Sequence, residues 1–299
     1  MTSILAAGDH FVPSRAIADA LARTVPGVPV ASMQLPWPVV PFGIVGNVHE
    51  ASGSEDEVSA ALKGHEIIVT QMAPVTERVL DENPQLRLIG VCRGGPVNVD
   101  VRAAAERGVT VSFAPGRNAA ATAELALGLA FAALRNIPQA ADALRRGVWE
   151  GERYYALENT GRELDGSTVG VVGYGAIGRR VAAVLRATGA HVLVADPYSR
   201  DAAIADGFEA VELDELLSRS VLVSLHARLT DDTRHQIDAR ALSLVPKGAI
   251  LVNSARAGLV DHGAVADALD SGALSRFATD VFDEEPPPPN WILGNRDDV

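Results

Sequence analysis

Short apolar segments alternate with helical ones along almost the whole chain. In the first part we predict four strands, at Ser3–Ala7, His65–Thr70, Leu86–Cys92 and Val109–Phe113. Helices are predicted at Val75–Glu82 and Val97–Arg107, and a loop or extended segment at Gln34–Gly46, which is rich in proline and glycine. Strands that alternate with helices are typical of α/β proteins with parallel sheets.

The same alternation begins again at Thr168. Five further strands are predicted, at Thr168–Val172, His191–Ala195, Val221–Leu225, Ala249–Asn253 and Phe277–Val281, with Asp238 and Asp261 as helix N-caps. Between the two parts, a helix from Asn118 to Arg146 is expected to kink or restart at Pro138. The segment Trp149–Gly166 has no clear period and is predicted to be a surface arm or linker. The predicted fold class is therefore α/β, with two doubly wound parallel-sheet domains.

The composition is typical of a folded protein and limits the partners and the cellular location to be expected. Apolar residues make up 47% and charged residues 21% of the 299 residues, and the formal net charge is −12. A nucleic-acid partner is not expected, because phosphate binding needs a basic face. Cys92 is the single cysteine, so an internal disulfide is excluded and a cytoplasmic location is expected.

The most apolar long stretch, Ala119 to Ile137, is predicted to be a packed helix and not a membrane span. It contains Glu124 and Arg135 and is rich in alanine. The first residues lack the basic segment and the long apolar core of a signal peptide. Neither a membrane partner nor a metal site is predicted.

A glycine motif follows the strand that begins at Thr168. Residues Val169 to Gly178 are Val-Gly-Val-Val-Gly-Tyr-Gly-Ala-Ile-Gly. Gly173 allows a tight turn, Gly175 allows a pyrophosphate to approach the backbone, and Gly178 allows a helix to pack closely on the strand. An ordinary strand–turn–helix unit is the alternative.

A helix and an acidic residue complete this motif. The helix is expected to begin near Ala176 and Ile177, where its free N–H groups would hold the pyrophosphate. Asp196 lies 18 residues after Gly178, where the next strand would deliver an acid to a ribose 2′-hydroxyl. We therefore predict a dinucleotide site that prefers NAD to NADP, because Asp196 would repel a 2′-phosphate.

Two further predicted strand ends carry charged residues. Arg256 lies just after the predicted strand Ala249–Asn253. The segment Asp280–Glu285 lies at the end of the last predicted strand, Phe277–Val281. Ligands of open α/β sheets bind beyond the carboxyl ends of strands. The planar fork of arginine also suits a carboxylate. Taken alone, either charge would more often be a solvated loop residue.

From about Ile67 to Pro286 the chain resembles the D-isomer-specific 2-hydroxyacid dehydrogenases, which include phosphoglycerate, glycerate and formate dehydrogenases. Several motifs agree in order and spacing. They are Pro115-Gly-Arg-Asn118 with Ala123-Glu124, the segment from Leu164 to Gly178, Ser224-Leu-His226, Asn253-Ser-Ala-Arg256 and Asp280-Val-Phe, and the 29-residue step from Arg256 to Glu285.

The resemblance implies an NAD-dependent oxidoreductase that transfers a hydride between nicotinamide and C2 of a D-2-hydroxy acid or 2-oxo acid. It implies a substrate-binding domain at 1–115 whose C-terminal return segment is missing, an NAD-binding Rossmann domain at 116–290 and a truncated tail at 291–299. Arg256 would bind the substrate carboxylate and polarise the 2-oxo group. Glu285 would hydrogen-bond a catalytic histidine and raise its pKa by stabilising the imidazolium.

Four more residues are assigned to the cofactor by the resemblance alone. Asp280 would hold the carboxamide side of the nicotinamide ring. Ser254 and Ala255 would line that ring, and His226 matches a family position near the cofactor.

The substrate side is less defined. Backbone amides of Gly94 and Gly95 would bind the carboxylate, with a simple turn as the alternative. No cluster of lysines or arginines near Thr70–Thr76 indicates a phosphate group, so the particular 2-hydroxy acid is not assigned. The resemblance also implies a homodimer formed through the helix at 118–146 and the arm at 149–166. Burial of that apolar helix in a large interior is the alternative.

The chain departs from the family pattern at two places. Arg228 stands where the family usually has proline, and it either contacts a ligand or faces solvent. The family's catalytic histidine follows a proline at a position expected beyond Val299, and none of the seven histidines lies in that context. We therefore expect a dehydrogenase that, as a 299-residue chain, is weakly active or inactive. A non-catalytic NAD(H)-binding regulator or scaffold of the same fold, such as a corepressor, is the alternative.

Overall fold

The structure of the protein is a computed structural model that describes residues 2–37, 43–149, 151, 155, 156 and 160–299. It contains two compact units, Met1–Arg117 and Asn118–Val299. Each unit has a parallel sheet packed against helices, which confirms the predicted fold class. The boundary between the units lies two residues after the one predicted at 115.

Five parallel strands form the first sheet, in the order β2-β1-β3-β4-β5. The strands are β1 (Ile4–Gly8), β2 (Val30–Gln34), β3 (Ile67–Thr70), β4 (Leu88–Val91) and β5 (Thr110–Phe113). The helices are α1 (Ser14–Thr24), α2 (Glu55–Leu62), α3 (Glu77–Glu82) and α4 (Val101–Glu106). The strand order changes direction between β1 and β3, so these two strands flank the switch point of the sheet.

The sequence pattern did not predict α1, β2 or α2. β2 is an edge strand with mostly accessible residues, so it lacks the apolar run that marks a buried strand. The helix predicted from Val97 begins only at Val101, because the Asp100 carboxylate accepts the N–H of Ala103 and caps the helix there. The predicted loop at 34–46 lies partly outside the described residues.

Six parallel strands form the second sheet, in the order β11-β10-β9-β6-β7-β8. The strands are β6 (Thr168–Val172), β7 (His191–Ala195), β8 (Glu209–Ala210), β9 (Leu222–Leu225), β10 (Ala249–Asn253) and β11 (Leu274–Thr279). The helices are α5 (Ala119–Leu134), α6 (Ile137–Arg145), α7 (Gly178–Ala187), α8 (Arg200–Ala205), α9 (Leu213–Arg219), α10 (Ala239–Leu242) and α11 (His262–Asp270), with a 3₁₀ turn at Ala257–Leu259. Numbered within the unit, this is the strand order of the dinucleotide-binding fold.

Helices cover both faces of the second sheet. α5, α7 and α8 contribute to a core that contains Ala126, Val171 and Val181. α9, α10 and α11 contribute to the core of the other face, which contains Leu216 and Leu251. The sheet is therefore buried on both sides, which is why its strands are nearly continuous apolar runs.

Within the second unit, one predicted strand needs correction and two predicted helix N-caps are confirmed. The last strand is Leu274–Thr279 and not Phe277–Val281, because Thr279 turns back and its side chain accepts the N–H of Val281. The short elements β8, α8 and α9 were not predicted. The N-caps at Asp238 and Asp261 are confirmed, since both carboxylates accept helix N–H groups.

The helix predicted from Asn118 to Arg146 is two helices, α5 and α6. Asn136 adopts a left-handed conformation, with φ of 53°, and breaks the chain direction. Pro138 lies in the first turn of α6, where its missing N–H costs nothing, so the predicted restart is confirmed. No single helix among the described residues is long and apolar enough to cross a membrane. α5 and α6 meet that test only as a pair, bent by 69°.

Residues 291–299 pack against the second unit. The N–H of Phe277 in β11 donates to the carbonyl of Asp298 at 2.9 Å, and Leu293 is buried in the core. Arg296 pairs with Asp270 and Asp298. The segment predicted as a truncated tail is thus part of unit 118–299. The predicted arm at 149–166 falls partly outside the described residues.

Candidate functional site

The carboxyl ends of β6 and β9 meet at the switch point of the second sheet. β6 continues into Gly173, whose φ is +93°, and β9 continues into His226. A Cβ atom on Gly173 would lie 2.5 Å from the nitrogen of Ala227 and 2.6 Å from the carbonyl carbon of His226. Only glycine lets the two strand ends approach so closely.

The other two glycines of the motif have different surroundings. A Cβ atom on Gly178 would lie 2.0 Å from the carbonyl oxygen of Gly173, so glycine is needed for α7 to pack on the turn. A Cβ atom on Gly175 would meet no heavy atom within 4 Å. The space in front of Gly175 is therefore open to a ligand.

α7 begins two residues later than predicted, at Gly178, because Ala176 and Ile177 are still in the turn. The N–H groups of Gly175, Ala176 and Ile177 make no hydrogen bond to any residue within the described ranges. Free backbone N–H groups before a helix attract anions. The turn, and not the helix itself, offers the donors.

Asp196 follows β7 and is tied to the glycine turn. Its Oδ2 accepts the N–H of Tyr174 at 2.7 Å. Its Oδ1 accepts the N–H of Tyr198 at 2.8 Å and that of Ser199 at 3.1 Å. These bonds fix the carboxylate beside the turn and leave lone pairs for a hydroxyl. Arg200, which could neutralise a 2′-phosphate, is paired with Glu212 at 3.3 Å.

His226 is a neutral histidine at the switch point. Its Nε2 lies 2.9 Å from the Oγ of Ser224, while its Nδ1 is buried and has no partner among the described residues. Burial lowers the pKa of His226 to about 4. The ring is therefore uncharged at neutral pH, so it suits a hydrogen bond better than proton donation.

Asn253 builds the turn that carries three of the predicted site residues. Its Oδ1 accepts the N–H of Ala255 at 3.1 Å, and its Nδ2 donates to the carbonyl of Arg256 at 2.9 Å. Ser254, between them, is buried, and its Oγ has no partner in the part of the chain that is described. The sequence pattern gave Asn253 no role of its own. The tendency of asparagine to bond its own backbone in turns was the available signal.

Arg256 points its guanidinium away from the core. The side chain is exposed and donates one hydrogen bond, at 2.8 Å, to the carbonyl of Ala255. No carboxylate of a described residue lies within 4.0 Å of it. Its fork is therefore available to an anionic ligand.

Asp280 lies at the same sheet edge as Ser254. Asn253 and Thr279 are paired in the parallel ladder, and the Thr279 Oγ1 donates to the carbonyl of Asn253 at 2.9 Å. Partial burial raises the pKa of Asp280. Glu285 lies further along, is partly buried and makes no hydrogen bond or ion pair with a residue of the described ranges.

Two histidine–carboxylate pairs among the described residues were not predicted: His191 with Glu209 on the surface, and His262 with Asp283. His262, the first residue of α11, has its Nδ1 3.1 Å from the Oδ2 of Asp283. Its ring packs edge-on against Trp291, and its Nε2 is buried without a partner among the described residues. The pairing with Asp283 and the ring contact with Trp291 place His262 in the packing of 291–299. Sequence alone could not place Asp283 beside a residue 21 positions earlier.

Gly94 and Gly95 follow β4 in the first unit. Neither has a positive φ, and a Cβ atom on either would meet no heavy atom within 4 Å. The fold itself therefore does not require glycine at these positions. A tight turn is therefore not the reason for glycine at these positions. Close approach of a ligand to the backbone is still a possible reason.

The geometry of the second unit by itself suits a bound dinucleotide. The turn offers three free N–H groups, and Asp196 presents an oriented carboxylate. His226 and Ser254 each hold a buried polar atom that lacks a partner in the described chain. Unpaired buried polar groups are costly, and a bound ligand is one way to satisfy them.

The sequence profile for "D-isomer specific 2-hydroxyacid dehydrogenase, NAD binding domain" matches residues 127–299. A D-3-phosphoglycerate dehydrogenase of Methanocaldococcus jannaschii is 40% identical over 253 residues, which are 83% of this chain and 47% of that protein. A hydroxypyruvate reductase of Thermotoga maritima is 36% identical over 234 residues, 78% of this chain and 74% of that protein.

Solved structures agree with these sequence matches. A D-lactate dehydrogenase of Aquifex aeolicus, in complex with NAD and lactic acid, superposes with a TM-score of 0.71 at 26% identity, covering 94% of this chain and 77% of that one. The chain spans about half the length of the phosphoglycerate dehydrogenases that it matches.

Proposed function

Because the chain belongs to the D-isomer specific 2-hydroxyacid dehydrogenase family, we propose that it interconverts a D-2-hydroxy acid and its 2-oxo acid with NAD as cofactor. The observation that supports this most is the guanidinium of Arg256, which has no ion pair with a described residue and lies three residues after β10, at the same carboxyl edge of the sheet as the dinucleotide turn. A cation there suits the carboxylate that all 2-hydroxy acids share.

NAD, when bound, supplies or accepts the hydride that is exchanged at C2 of the substrate. The N–H groups at Gly175, Ala176 and Ile177 would hold its pyrophosphate, with Gly173 and Gly178 shaping the turn. Asp196 would accept the ribose 2′-hydroxyl. The nicotinamide end would meet His226, Ser254, Ala255 and Asp280.

Arg256 would bind the substrate carboxylate and polarise the 2-oxo group. Glu285 would hydrogen-bond the histidine that delivers a proton to the 2-oxo oxygen, and so stabilise its protonated form. His226, with a pKa near 4, is a poor donor, and the His262 ring is already paired with Asp283 and packed against Trp291. That a proline–histidine pair follows Val299 stays a prediction, which the encoding reading frame tests. The role of Gly94 and Gly95 in binding the carboxylate also stays a prediction.

The test is consumption of NADH by the protein expressed from its complete reading frame, with a panel of 2-oxo acids. We expect turnover of at least one of them at an ordinary rate of about 1–10³ s⁻¹. The 299-residue chain should bind NADH yet reduce the same acid more slowly by about 10²–10⁴-fold, the usual contribution of a general acid. Binding of NADH without turnover by the complete protein would favour the regulator alternative instead.

We also infer a homodimer that forms through α5 and α6. α6 buries none of its residues, and Ile137 and Leu144 are 53% and 55% exposed. An amphipathic helix with an uncovered apolar face favours a partner. Light scattering at micromolar concentration should report twice the chain mass of 31.3 kDa. A single species at the chain mass would contradict the dimer.

A further inference from the structure

We propose that Asp206 is a positioning residue that helps to select NAD over NADP, because it keeps the guanidinium of Arg179 away from the ribose 2′ position. Once released from Asp206, Arg179 would bind the 2′-phosphate of NADPH. The inference rests on the proposed function, in which Asp196 accepts the ribose 2′-hydroxyl. The sequence motifs gave no role to Asp206 or Arg179.

Arg179 and Asp196 contact the same residue of the glycine turn. The N–H of Tyr174 donates to the Oδ2 of Asp196 at 2.7 Å. The carbonyl of Tyr174 accepts a hydrogen bond from the Nε of Arg179, in the first turn of α7, at 3.4 Å. A single residue therefore separates the guanidinium from the carboxylate that would bind the ribose, so a rotation of the Arg179 side chain can carry its charge toward the 2′ position.

Two further contacts keep Arg179 in its observed direction. Its guanidinium carbon lies 4.9 Å from the centre of the Tyr174 ring, which is a cation–π contact. One of its terminal nitrogens donates to the Oδ2 of Asp206 at 3.4 Å. The same Oδ2 accepts the hydroxyl of Tyr174 at 2.8 Å. The ring, the guanidinium and the carboxylate thus form one cluster, in which Asp206 supplies the negative charge.

The fold fixes two members of this cluster, while the third, Arg179, lies at the surface. Tyr174 is buried, and its ring packs edge-on against Phe208 at 5.7 Å. Burial and the bond to Asp206 raise the pKa of Tyr174 to about 12, so its hydroxyl stays a donor at neutral pH. Asp206 ends α8, and its carbonyl accepts a hydrogen bond from Arg186 at 2.9 Å. The Arg179 side chain, in contrast, is half exposed.

The chemistry of the 2′ position explains why the direction of Arg179 matters. In dinucleotide-binding folds an acid binds the 2′-hydroxyl of NAD, whereas an arginine nearby accommodates the 2′-phosphate of NADP. This chain has both kinds of group at the turn, Asp196 and Arg179. The cluster with Asp206 leaves the acid in use and the arginine out of use, which favours NAD.

The test is calorimetric titration of the full chain with NADH and with NADPH, which differ by one phosphate. Asp206→Asn keeps the size of the side chain and an acceptor for the Tyr174 hydroxyl, but removes the charge that holds Arg179. We expect the affinity for NADPH, relative to that for NADH, to rise by about three- to tenfold. The reason is that a half-exposed ion pair, which stabilises little, is exchanged for a charge-assisted bond to phosphate.

Two arginine variants and an acidic control locate the gain. Arg179→Met in the Asp206→Asn background should abolish it, whereas Arg200→Met in the same background should not. Asp201→Asn removes the same charge from an exposed acid of α8 and should leave the relative affinity unchanged. The melting temperature of each variant shows whether the fold is intact.

Three results would overturn the role of Asp206 alone. They are a relative affinity that Asp206→Asn leaves unchanged, a gain for NADPH that survives Arg179→Met, and an equal gain in the Asp201→Asn control. Weaker binding of both nucleotides to the same extent, with a lower melting temperature, would also contradict it, because that result marks a purely structural role. If the unaltered chain binds neither NADH nor NADPH, the proposed function fails as well.

Discussion

The two sheets have the same kind of switch point, but different groups lie there. In the second sheet the backbone forms the site: Gly173 contacts the chain after β9, and free N–H groups follow it. At the switch point of the first sheet the observed contact is between side chains, since the Gln71 amide oxygen accepts a hydrogen bond from Arg117. Backbone donors recognise what every dinucleotide has in common, whereas side chains can be exchanged without disturbing the fold.

From this difference we expect separate tasks for the two units. Changes at the second switch point should affect the cofactor and all substrates alike. Changes at the first should alter only the choice among substrates. The four predictions below concern the residues that this comparison singles out, in order of decreasing expected effect.

Replacing Arg256 by Gln should lower kcat/KM for every 2-oxo acid by about 10²–10⁴-fold, because two charge-assisted hydrogen bonds to the shared carboxylate are lost. Steady-state kinetics with substrates of different length measure this. Arg87→Gln, an exposed arginine of the first unit, is the matched control and should have no effect. A loss of kcat/KM for one substrate only would mean that Arg256 selects among substrates and does not bind the carboxylate that they share.

Alanine at three glycines should have graded effects on NAD binding. Gly173→Ala places a Cβ atom 2.5 Å from the nitrogen of Ala227 at a φ of +93°, so we expect at least about 100-fold weaker binding and a lower melting temperature. Gly175→Ala should keep the melting temperature and weaken NAD about tenfold, because its Cβ enters open space. Gly94→Ala in the first unit should leave NAD unaffected.

Fluorescence titration and thermal unfolding of these variants check the prediction. Equal melting temperatures for the Gly173 and Gly175 variants would show that the close strand approach is not what requires glycine.

His226 should make stability depend on pH. Its pKa is about 4 in the folded protein, below the ordinary 6.5, because burial opposes its charge. Above pH 6.5 neither state is protonated and the stability is complete. As the pH falls from 6.5 to 4, only the unfolded chain takes up the proton, so about 3 kcal/mol is lost.

Urea unfolding at pH 7 and pH 4.5 measures this loss. His226→Gln should remove most of it, whereas the exposed His49→Gln should not. Identical pH dependence of the protein and its His226→Gln variant would contradict the burial of this ring.

Asp196 should discriminate between NADH and NADPH. Asp196→Ala should narrow the difference in their binding free energies by roughly 1.5–3 kcal/mol, the contribution of a charge-assisted hydrogen bond. Fluorescence titration of both nucleotides measures it, with Asp201→Ala of the neighbouring helix as the control. Equal dissociation constants for NADH and NADPH in the unaltered protein would refute the preference.

The cofactor turn could be predicted from sequence because local contacts enforce it. Gly173 and Gly178 contact each other within one strand–turn–helix unit, and the residues between them are consecutive. The start of α7 was predicted too early, since free N–H groups look alike in a turn and in a helix. The N-caps at Asp238 and Asp261 were equally local and were predicted correctly.

The side-chain contacts at the edge of the first sheet could not be predicted, because sheet register creates them. Gln71 and Arg117 are 46 residues apart and meet only because β3, β4 and β5 are neighbours. The Arg93–Glu50 pair joins β4 to a loop that has no periodic pattern. Such pairs leave no trace in spacing.

Transfer of deuterium tests the central claim most directly. NADH deuterated at both C4 positions is incubated with a 2-oxo acid that the complete protein reduces, and the product is analysed by NMR and chiral separation. We predict a D-2-hydroxy acid that carries one deuterium at C2. A product without deuterium at C2, an L-configured product, or no product from any 2-oxo acid despite NADH binding would contradict the assignment as a D-2-hydroxyacid dehydrogenase.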